Sequence, residues 1–258
     1  MPPPPRPHWS TIEVGGRACE IHAPSDPRPG RALIYLHGVR ERWLQEMPAL
    51  RDLVEKERLP VIAPRGGRCW WIDRIVPGFD PQITPERFVV DLVRTEVGRR
   101  FGVETPGIAL IGTSMGGQGA LRLSYRHPAI FPVAAAIAPA IDFHAAMRDA
   151  ADRDDGEYYD TLWRIYGDVE RARQDTAILH VHPLNWPRQQ WFASSPADHH
   201  WHDGAQRLHS KLVALGIPHE SVLEGLPGED AAAFEARVAT AAIEFLVSSL
   251  DKESRRIP

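Results

Sequence analysis

The fold follows from one stretch of the sequence, residues 108–117, which reads IALIGTSMGG. Its first four residues are apolar, as in a strand that is buried on both faces of a parallel sheet, and a helix is predicted directly after it. Between them lies a G-x-S-x-G pattern, in which small residues flank a serine at a sharp strand-to-helix turn. The pattern predicts a nucleophile elbow, with the Ser114 oxygen above the carboxyl ends of the strands, near the positive end of the helix.

Segments with strand and helix patterns alternate along the rest of the chain. This alternation predicts a mostly parallel, doubly wound sheet with helices on both faces, which is an α/β fold. The Gly15-Gly16 turn separates two short strands and predicts an antiparallel hairpin at the start. Further strands are expected at 32–36, 61–63, 108–111, 133–137, 190–193 and 220–223. Helices are expected at 44–59, 84–100, 116–127, 206–215 and 231–250.

Composition limits the function without defining it. Of the 258 residues, 43% are hydrophobic and 25% are charged, with 30 basic and 34 acidic side chains. The balance of −4 gives no basic surface for nucleic acid, and no apolar run approaches the roughly 20 residues that span a membrane. The two cysteines are too few for a disulfide framework. We expect a cytoplasmic protein that needs no metal or cofactor, whose oligomeric state stays open.

One domain is expected over residues 8–250, after a disordered proline-rich leader at 1–7 and before a tail at 251–258. The charged, mostly helical stretch 142–182 interrupts the alternation of strand and helix and is predicted to be an insertion that can form a lid. Its Tyr158, Tyr159 and Trp163 are equally compatible with packing against the core.

The loop after the strand at 32–36 predicts donors for a negatively charged oxygen. Where a serine turn of this kind is catalytic, that loop gives one backbone N–H to an oxyanion hole, and the residue after the nucleophile gives the other. Here the loop begins with His37-Gly38, so Val39 or Arg40 would be the first donor and Met115 the second.

Several segments together resemble a known family. They are YLHG at 35–38, APRGG at 63–67 followed by Trp70-Trp71, GTSMGGQGALRLSYRHP at 112–128 and LHSKLVALGIPHE at 208–220. The sequence is similar to the putative-esterase family of α/β-hydrolases, which includes S-formylglutathione hydrolase, acetyl xylan esterases and feruloyl esterases. The resemblance covers about residues 31–250 and implies an α/β-hydrolase fold, with Asp198 as the acid of the catalytic triad.

The expected catalytic histidine is missing. Relatives have a Gly-Gly-His segment between the last strand and the closing helix, where this chain has Glu229. All twelve histidines lie between His8 and His219, before the end of that strand. An ordinary carboxylate, with a pKa near 4.3, is a poor base for serine, and Asp198 would repel it. The resemblance therefore implies weak hydrolysis unless another base reaches Ser114.

Other groups are candidates for that base. His199, His200 and His202 follow the predicted acid in a loop that should border the active site, and His37 is a further possibility, although it more often shapes the loop. Glu229 and Asp198 could instead share a proton in a desolvated pocket. A metal site is less well supported, because the helical i, i+4 histidine spacing of zinc proteases is absent.

Trp70 and Trp71, together with His37, are predicted to line the substrate pocket, although buried packing tryptophans are equally common. Two functions fit the sequence. The first is a serine hydrolase that cleaves a small-molecule carboxylic ester or thioester through an acyl-Ser114 intermediate. The second is a non-catalytic relative that keeps the fold for ligand binding or scaffolding.

Overall fold

The computed structural model describes residues 8–152, 156–198 and 200–256, with Ala231 and Ala232 described only in their backbone. The predicted leader at 1–7 and the candidate base His199 lie outside the described residues. An eight-stranded sheet with the order β1-β2-β4-β3-β5-β6-β7-β8 forms the centre of the described part. The strands are β1 Trp9–Val14, β2 Arg17–His22, β3 Ala32–Leu36, β4 Val61–Pro64, β5 Ile108–Thr113, β6 Val133–Ile137, β7 Gln189–Ala193 and β8 Glu220–Val222.

The connections between the strands are helical over much of their length. The helices are α1 Pro48–Lys56, α2 Pro85–Arg87, α3 Arg94–Phe101, α4 Met115–Arg126, α5 Phe143–Arg148, α6 Asp160–Tyr166, α7 Val169–Arg173, α8 His202–Ala214 and α9 Ala231–Ser254. A π-helical segment, Phe88–Val93, joins α2 to α3. None of these helices, taken over the described residues, has the length and apolar content needed to cross a membrane.

Strand pairing confirms the predicted topology. β1, β2 and β4 pair in antiparallel fashion, and every other neighbouring pair in the sheet is parallel. Leu36 at the end of β3 pairs with Gly112 in β5, and Gly112 pairs with Ala136 near the end of β6. Because parallel strands end on the same side, this register brings the loops after β3, β5 and β6 to one edge of the sheet.

The central strands are apolar throughout because both faces of the sheet are covered. Leu33 and Tyr35 of β3 pack in a cluster with residues of α1 and α9. Their neighbours Ile34 and Leu36 point to the opposite face and belong to a cluster with Phe88 and residues of α3 and α4. This alternation is what the predicted two-sided burial of the strand at 32–36 requires.

The inserted stretch after β6 carries α5, α6 and α7 and is attached to the core by ion pairs near both ends. Near its start, Asp142 bonds Arg207 of α8. Near its end, Asp175 accepts a hydrogen bond from Nε of Arg122 in α4 at 3.0 Å. Arg122 is only 1% exposed and also pairs with Glu86 of α2, so it links three parts of the fold.

This network of buried ion pairs predicts that the protein loses stability at low pH. Burial alone would raise the pKa of the Glu86 carboxyl, but a hydrogen bond to His127 and the charges of Arg122 and Arg126 lower it from 4.5 to about 2. A carboxyl whose pKa is lower in the folded state stabilises the protein above the unfolded value, and that stabilisation is lost as the pH falls towards the folded value. We expect acidification to reduce the free energy of unfolding by on the order of 3 kcal/mol through this group.

Urea unfolding of the protein between about pH 6 and pH 2 measures the effect. Glu86→Gln is the comparison variant, because it cannot titrate, and its stability should fall less steeply with acidification. Equal slopes in the two proteins would contradict the assignment of this acid sensitivity to Glu86.

Candidate active site

Ser114 occupies the turn between β5 and α4. Its backbone has φ +52° and ψ −118°, a left-handed conformation that is strained for any residue except glycine. Hydrogen bonds to the end of β6 and to the segment after it hold this backbone: the Ser114 N–H donates to the Ile137 carbonyl at 2.9 Å, and the Ser114 carbonyl accepts from Ala140 N–H at 3.0 Å. The predicted sharp strand-to-helix turn is therefore present, with the serine half-buried at the carboxyl edge of the sheet.

Two glycines make this turn possible. A Cβ atom at Gly116 would overlap the Leu36 carbonyl and lie 2.7 Å from the His37 carbonyl oxygen. A Cβ atom at Gly38 would lie 3.2 Å from the Cβ of Ser114. The close packing at both positions brings the loop after β3 directly against the serine turn.

A cavity of about 390 Å³ opens beside Ser114. Its lining comes from the loops at the carboxyl ends of the strands, from the insertion and from α9. Aromatic side chains from three different parts of the chain contribute: Tyr158 and Tyr159, Trp201, and Phe234. Charged residues also border it, two arginines (Arg40, Arg42) and two glutamates (Glu41, Glu235), so the charges around the cavity balance.

The predicted oxyanion donors lie next to the serine. Val39 and Arg40 line the cavity, within a turn closed by a 3.0 Å hydrogen bond from Glu41 N–H to the Gly38 carbonyl. Met115 is the first residue of α4, where backbone N–H groups have no partner within the helix. Within the ranges that the structure describes, no acceptor occupies the backbone N–H groups of Val39, Arg40 and Met115.

The prediction that Trp70, Trp71 and His37 line the pocket is corrected by the structure. Both tryptophans are fully buried, and Trp70 packs against Phe143, with ring centroids 5.1 Å apart. His37 uses both ring nitrogens to join two loops, since Nδ1 donates to the Gly38 carbonyl after β3 at 2.8 Å and Nε2 accepts from the N–H of Gly66 after β4 at 2.9 Å. These side chains shape the loops around the cavity without bordering it.

Asp198 follows β7, as predicted, but its carboxylate is used for a turn. Oδ1 accepts the backbone N–H groups of His200 at 3.1 Å and Trp201 at 3.3 Å, just before α8 begins. The carboxylate therefore fixes the backbone of the segment that carries the candidate histidines. It does not border the cavity that contains Ser114.

Glu229 is bound in an ion pair. Arg237 of α9 donates to both of its carboxylate oxygens, at 2.7 and 2.8 Å, and Leu226 N–H donates at 3.0 Å. The bonds from Arg237, followed by that from Leu226, lower the pKa of Glu229 to about 2. Glu229 does not border the cavity, and no hydrogen bond joins it to Asp198 among the described residues, so the structure gives no support to the predicted proton shared between them.

The two described histidines that follow Asp198 have different surroundings. His202 is buried, donates from Nδ1 to the Ser194 carbonyl at 3.2 Å and accepts from Gln206 at Nε2. Both of its ring nitrogens are therefore occupied, and its side chain does not line the cavity, so the structure gives no support to its prediction as a replacement base. His200 is exposed and lines the same cavity as Ser114.

Sequence reasoning missed Phe234 and Glu235 on the closing helix. The sequence predicted only that a helix closes the chain, and the packing of α9 against α1 and β6 brings its first turns to the cavity. Tyr158 and Tyr159 carried a signal, since adjacent aromatics in an insertion suit a pocket as well as a core, but their position could not be inferred from spacing.

Solved structures of known enzymes share this architecture. An S-formylglutathione hydrolase from Agrobacterium tumefaciens has a TM-score of 0.67 and 15% identity, with 95% of this chain and 94% of that chain covered. A fluorophosphonate-binding serine hydrolase from Staphylococcus aureus has a TM-score of 0.63 and 13% identity, with 92% and 98% covered. A ferulic acid esterase has a TM-score of 0.60 and 16% identity, with 92% and 96% covered.

The sheet order, the antiparallel hairpin and these likenesses define an α/β-hydrolase fold. Among curated proteins, none matches the sequence. The sequence profile of the Putative esterase family matches residues 17–219, which is more than half of the chain, and the protein belongs to that family. Family membership supports ester hydrolysis as the general activity.

Proposed function

We propose that the protein hydrolyses carboxylic esters or thioesters of small molecules through an acyl intermediate on Ser114. The observation that carries the proposal is the strained serine at the edge of a cavity of about 390 Å³. Strained backbone of this kind concentrates at functional sites, and a scaffold would gain nothing from it.

The chemistry follows from the surroundings of the serine. The Ser114 oxygen attacks the substrate carbonyl, and the negative charge that develops is stabilised by the N–H of Met115 and that of Val39 or Arg40. Removing one such donor typically lowers the catalytic rate about 10²–10³-fold. The cavity is within the roughly 300–1,000 Å³ typical of small-molecule sites, and its aromatic lining suits an apolar acyl group.

The structural neighbours support the same class of substrate. They include an S-formylglutathione hydrolase, whose substrate is a thioester, and a ferulic acid esterase. Their identities with this chain are low, so they support the reaction class without indicating which acyl group or alcohol is recognised.

One observation favours a second function, the binding of an ester-like ligand without turnover. Glu229, at the position where the family resemblance places the histidine, is engaged by Arg237 and cannot act as a base. A protein that lacked any other base would keep the cavity and the amide donors but would turn over very slowly.

Labelling with a fluorophosphonate probe tests the proposal, because the probe forms a covalent adduct only with an activated serine. We expect one adduct, located on Ser114 by peptide mass spectrometry, and hydrolysis of p-nitrophenyl acetate above background. Ser114→Ala should remove the adduct and reduce turnover to the uncatalysed rate. Ser210→Ala, an exposed serine on α8, is the matched control and should behave as wild type.

An unlabelled Ser114, under conditions that label an ordinary esterase, would overturn the hydrolase proposal. Saturable binding of a non-hydrolysable ester analogue in that case would support the ligand-binding function.

A further inference from the structure

The proposed reaction needs a group that removes the Ser114 proton, and the loop after β8 does not supply it. Glu229 lies in that loop, but its two oxygens accept three hydrogen bonds from Arg237 and Leu226. A carboxylate held in this way, with a pKa lowered to about 2, is almost never protonated near neutral pH and has little affinity for a proton. The base must therefore come from another element.

Imidazole is the side chain best suited to take a proton and return it near neutral pH. Of the histidines that the structure describes, His200 alone lines the cavity next to Ser114. The other two described candidates, His37 and His202, do not line it, and their ring nitrogens bond to other groups. Glu41 and Glu235 also border the cavity, but carboxylates are weaker bases for a hydroxyl group.

The backbone at His200 is fixed by two neighbours. The Asp198 carboxylate accepts the N–H groups of His200 and Trp201. The Trp201 side chain is buried and packs against Tyr159, with ring centroids 6.3 Å apart. The His200 side chain lies exposed at the edge of the cavity, and its ring contacts that of Trp201, with centroids 6.4 Å apart. The His200 imidazole and Ser114 therefore lie on the same cavity, one on the loop after β7 and the other on the turn after β5.

We infer that His200 is the general base of Ser114, in a serine–histidine dyad built from the turn after β5 and the loop after β7. This assignment rests on the proposed hydrolase function. It also makes Asp198 a positioning residue, since its carboxylate acts on the backbone that carries the imidazole.

Each step of the reaction balances. A ring nitrogen of His200 accepts the Ser114 hydroxyl proton while Oγ bonds to the substrate carbonyl carbon. The resulting imidazolium gives that proton to the leaving alkoxide or thiolate as its bond to the carbonyl carbon breaks, which leaves acyl-Ser114. Water then loses a proton to His200 as it attacks the acyl carbon, and the proton returns to Ser114 Oγ when the acid is released.

The test compares the second-order rate of fluorophosphonate labelling and the turnover of p-nitrophenyl acetate in four variants. His200→Gln and His200→Gly should lower both rates about 10²–10⁴-fold. Added imidazole should restore turnover of His200→Gly in a concentration-dependent way, which a structural role would not produce. His182→Gln, another exposed histidine, and Glu229→Gln should stay within a few-fold of wild type.

The outcomes distinguish a failure of the His200 assignment from a failure of the hydrolase proposal. If wild type is labelled on Ser114 and both His200 variants keep wild-type rates, the His200 assignment fails and the hydrolase proposal stands. A large loss of labelling and turnover in Glu229→Gln, with His200→Gln unaffected, would identify Glu229 as the base instead. If wild type is neither labelled nor active, both conclusions fail.

Discussion

Replacing Arg122 by methionine is expected to lower the free energy of unfolding by about 3–5 kcal/mol. The guanidinium is almost completely buried and pairs with two buried acids, Glu86 and Asp175. Removing it leaves each buried carboxylate with only a partly exposed arginine, Arg126 beside Glu86 and Arg74 beside Asp175, and an undercompensated buried charge is far more costly than a lost surface pair. Urea unfolding followed by far-ultraviolet circular dichroism measures the change.

A matched control removes the same charge from the surface. The Arg87 side chain is 68% exposed and pairs with Asp91 at 3.0 Å, so Arg87→Met should change stability by less than about 1 kcal/mol. Combining Arg122→Met with Glu86→Gln and Asp175→Asn should recover part of the loss, because no charge is then stranded. A loss in Arg122→Met no larger than that in Arg87→Met would contradict the prediction.

Replacing Gly116 by alanine is expected to reduce stability by about 3 kcal/mol or more and to slow labelling of Ser114 about 10²-fold. The added methyl group would meet the backbone carbonyls of Leu36 and His37, which cannot move without displacing β3 or the loop that follows it. Relief requires α4 to shift away from the sheet, and that shift carries Met115 and Ser114 out of alignment with the amides of Val39 and Arg40. The same unfolding and labelling measurements apply.

Gly225→Ala is the control for this change. A methyl group there would lie 3.9 Å from Glu229 Oε2 and from Pro196 Cδ, which is ordinary contact distance. Its effect should remain within about 0.5 kcal/mol. Equal stabilities of the two alanine variants would show that the serine turn tolerates the shift and that the tight packing has been overestimated.

Most of the sheet could be predicted from sequence because the signals were local. The apolar runs at 32–36 and 133–137 match the strands residue for residue, and the alternation with helices predicted their parallel pairing. Helix boundaries were less predictable. The single helix expected at 44–59 is instead a short 3₁₀ turn at Leu44–Glu46 followed by α1, which begins at Pro48. The helix expected at 84–100 contains a π-helical segment. The closing helix continues to Ser254, four residues beyond its expected end, so part of the predicted tail is helical.

The site was predictable where it depends on backbone geometry. The glycines around Ser114 indicate a strained turn, and the turn is there. Predictions that depended on side-chain direction were less successful. Trp70 and Trp71 both have positive φ, which turns their rings into the core, and nothing in the sequence of that loop signals this conformation. Glu229 could be assigned from the resemblance, but its partner Arg237 lies eight residues along a helix, and a charged residue there is unremarkable in sequence.

The two ion pairs that attach the insertion limit how the cavity can admit a ligand. Asp142 is bound to Arg207 near one end, and Asp175 is bound to Arg122 near the other. A swing of the whole insertion as a rigid body would break both attachments, whereas bending of the chain between them would break neither. Between them, Tyr159 is buried against Trp70 and Trp201, whereas Tyr158 is only half-buried, so entry of a bulky molecule is expected to move the Tyr158 side chain rather than the insertion as a whole. Substitution of Tyr158 should therefore change which ligands the cavity admits without weakening the two ion pairs.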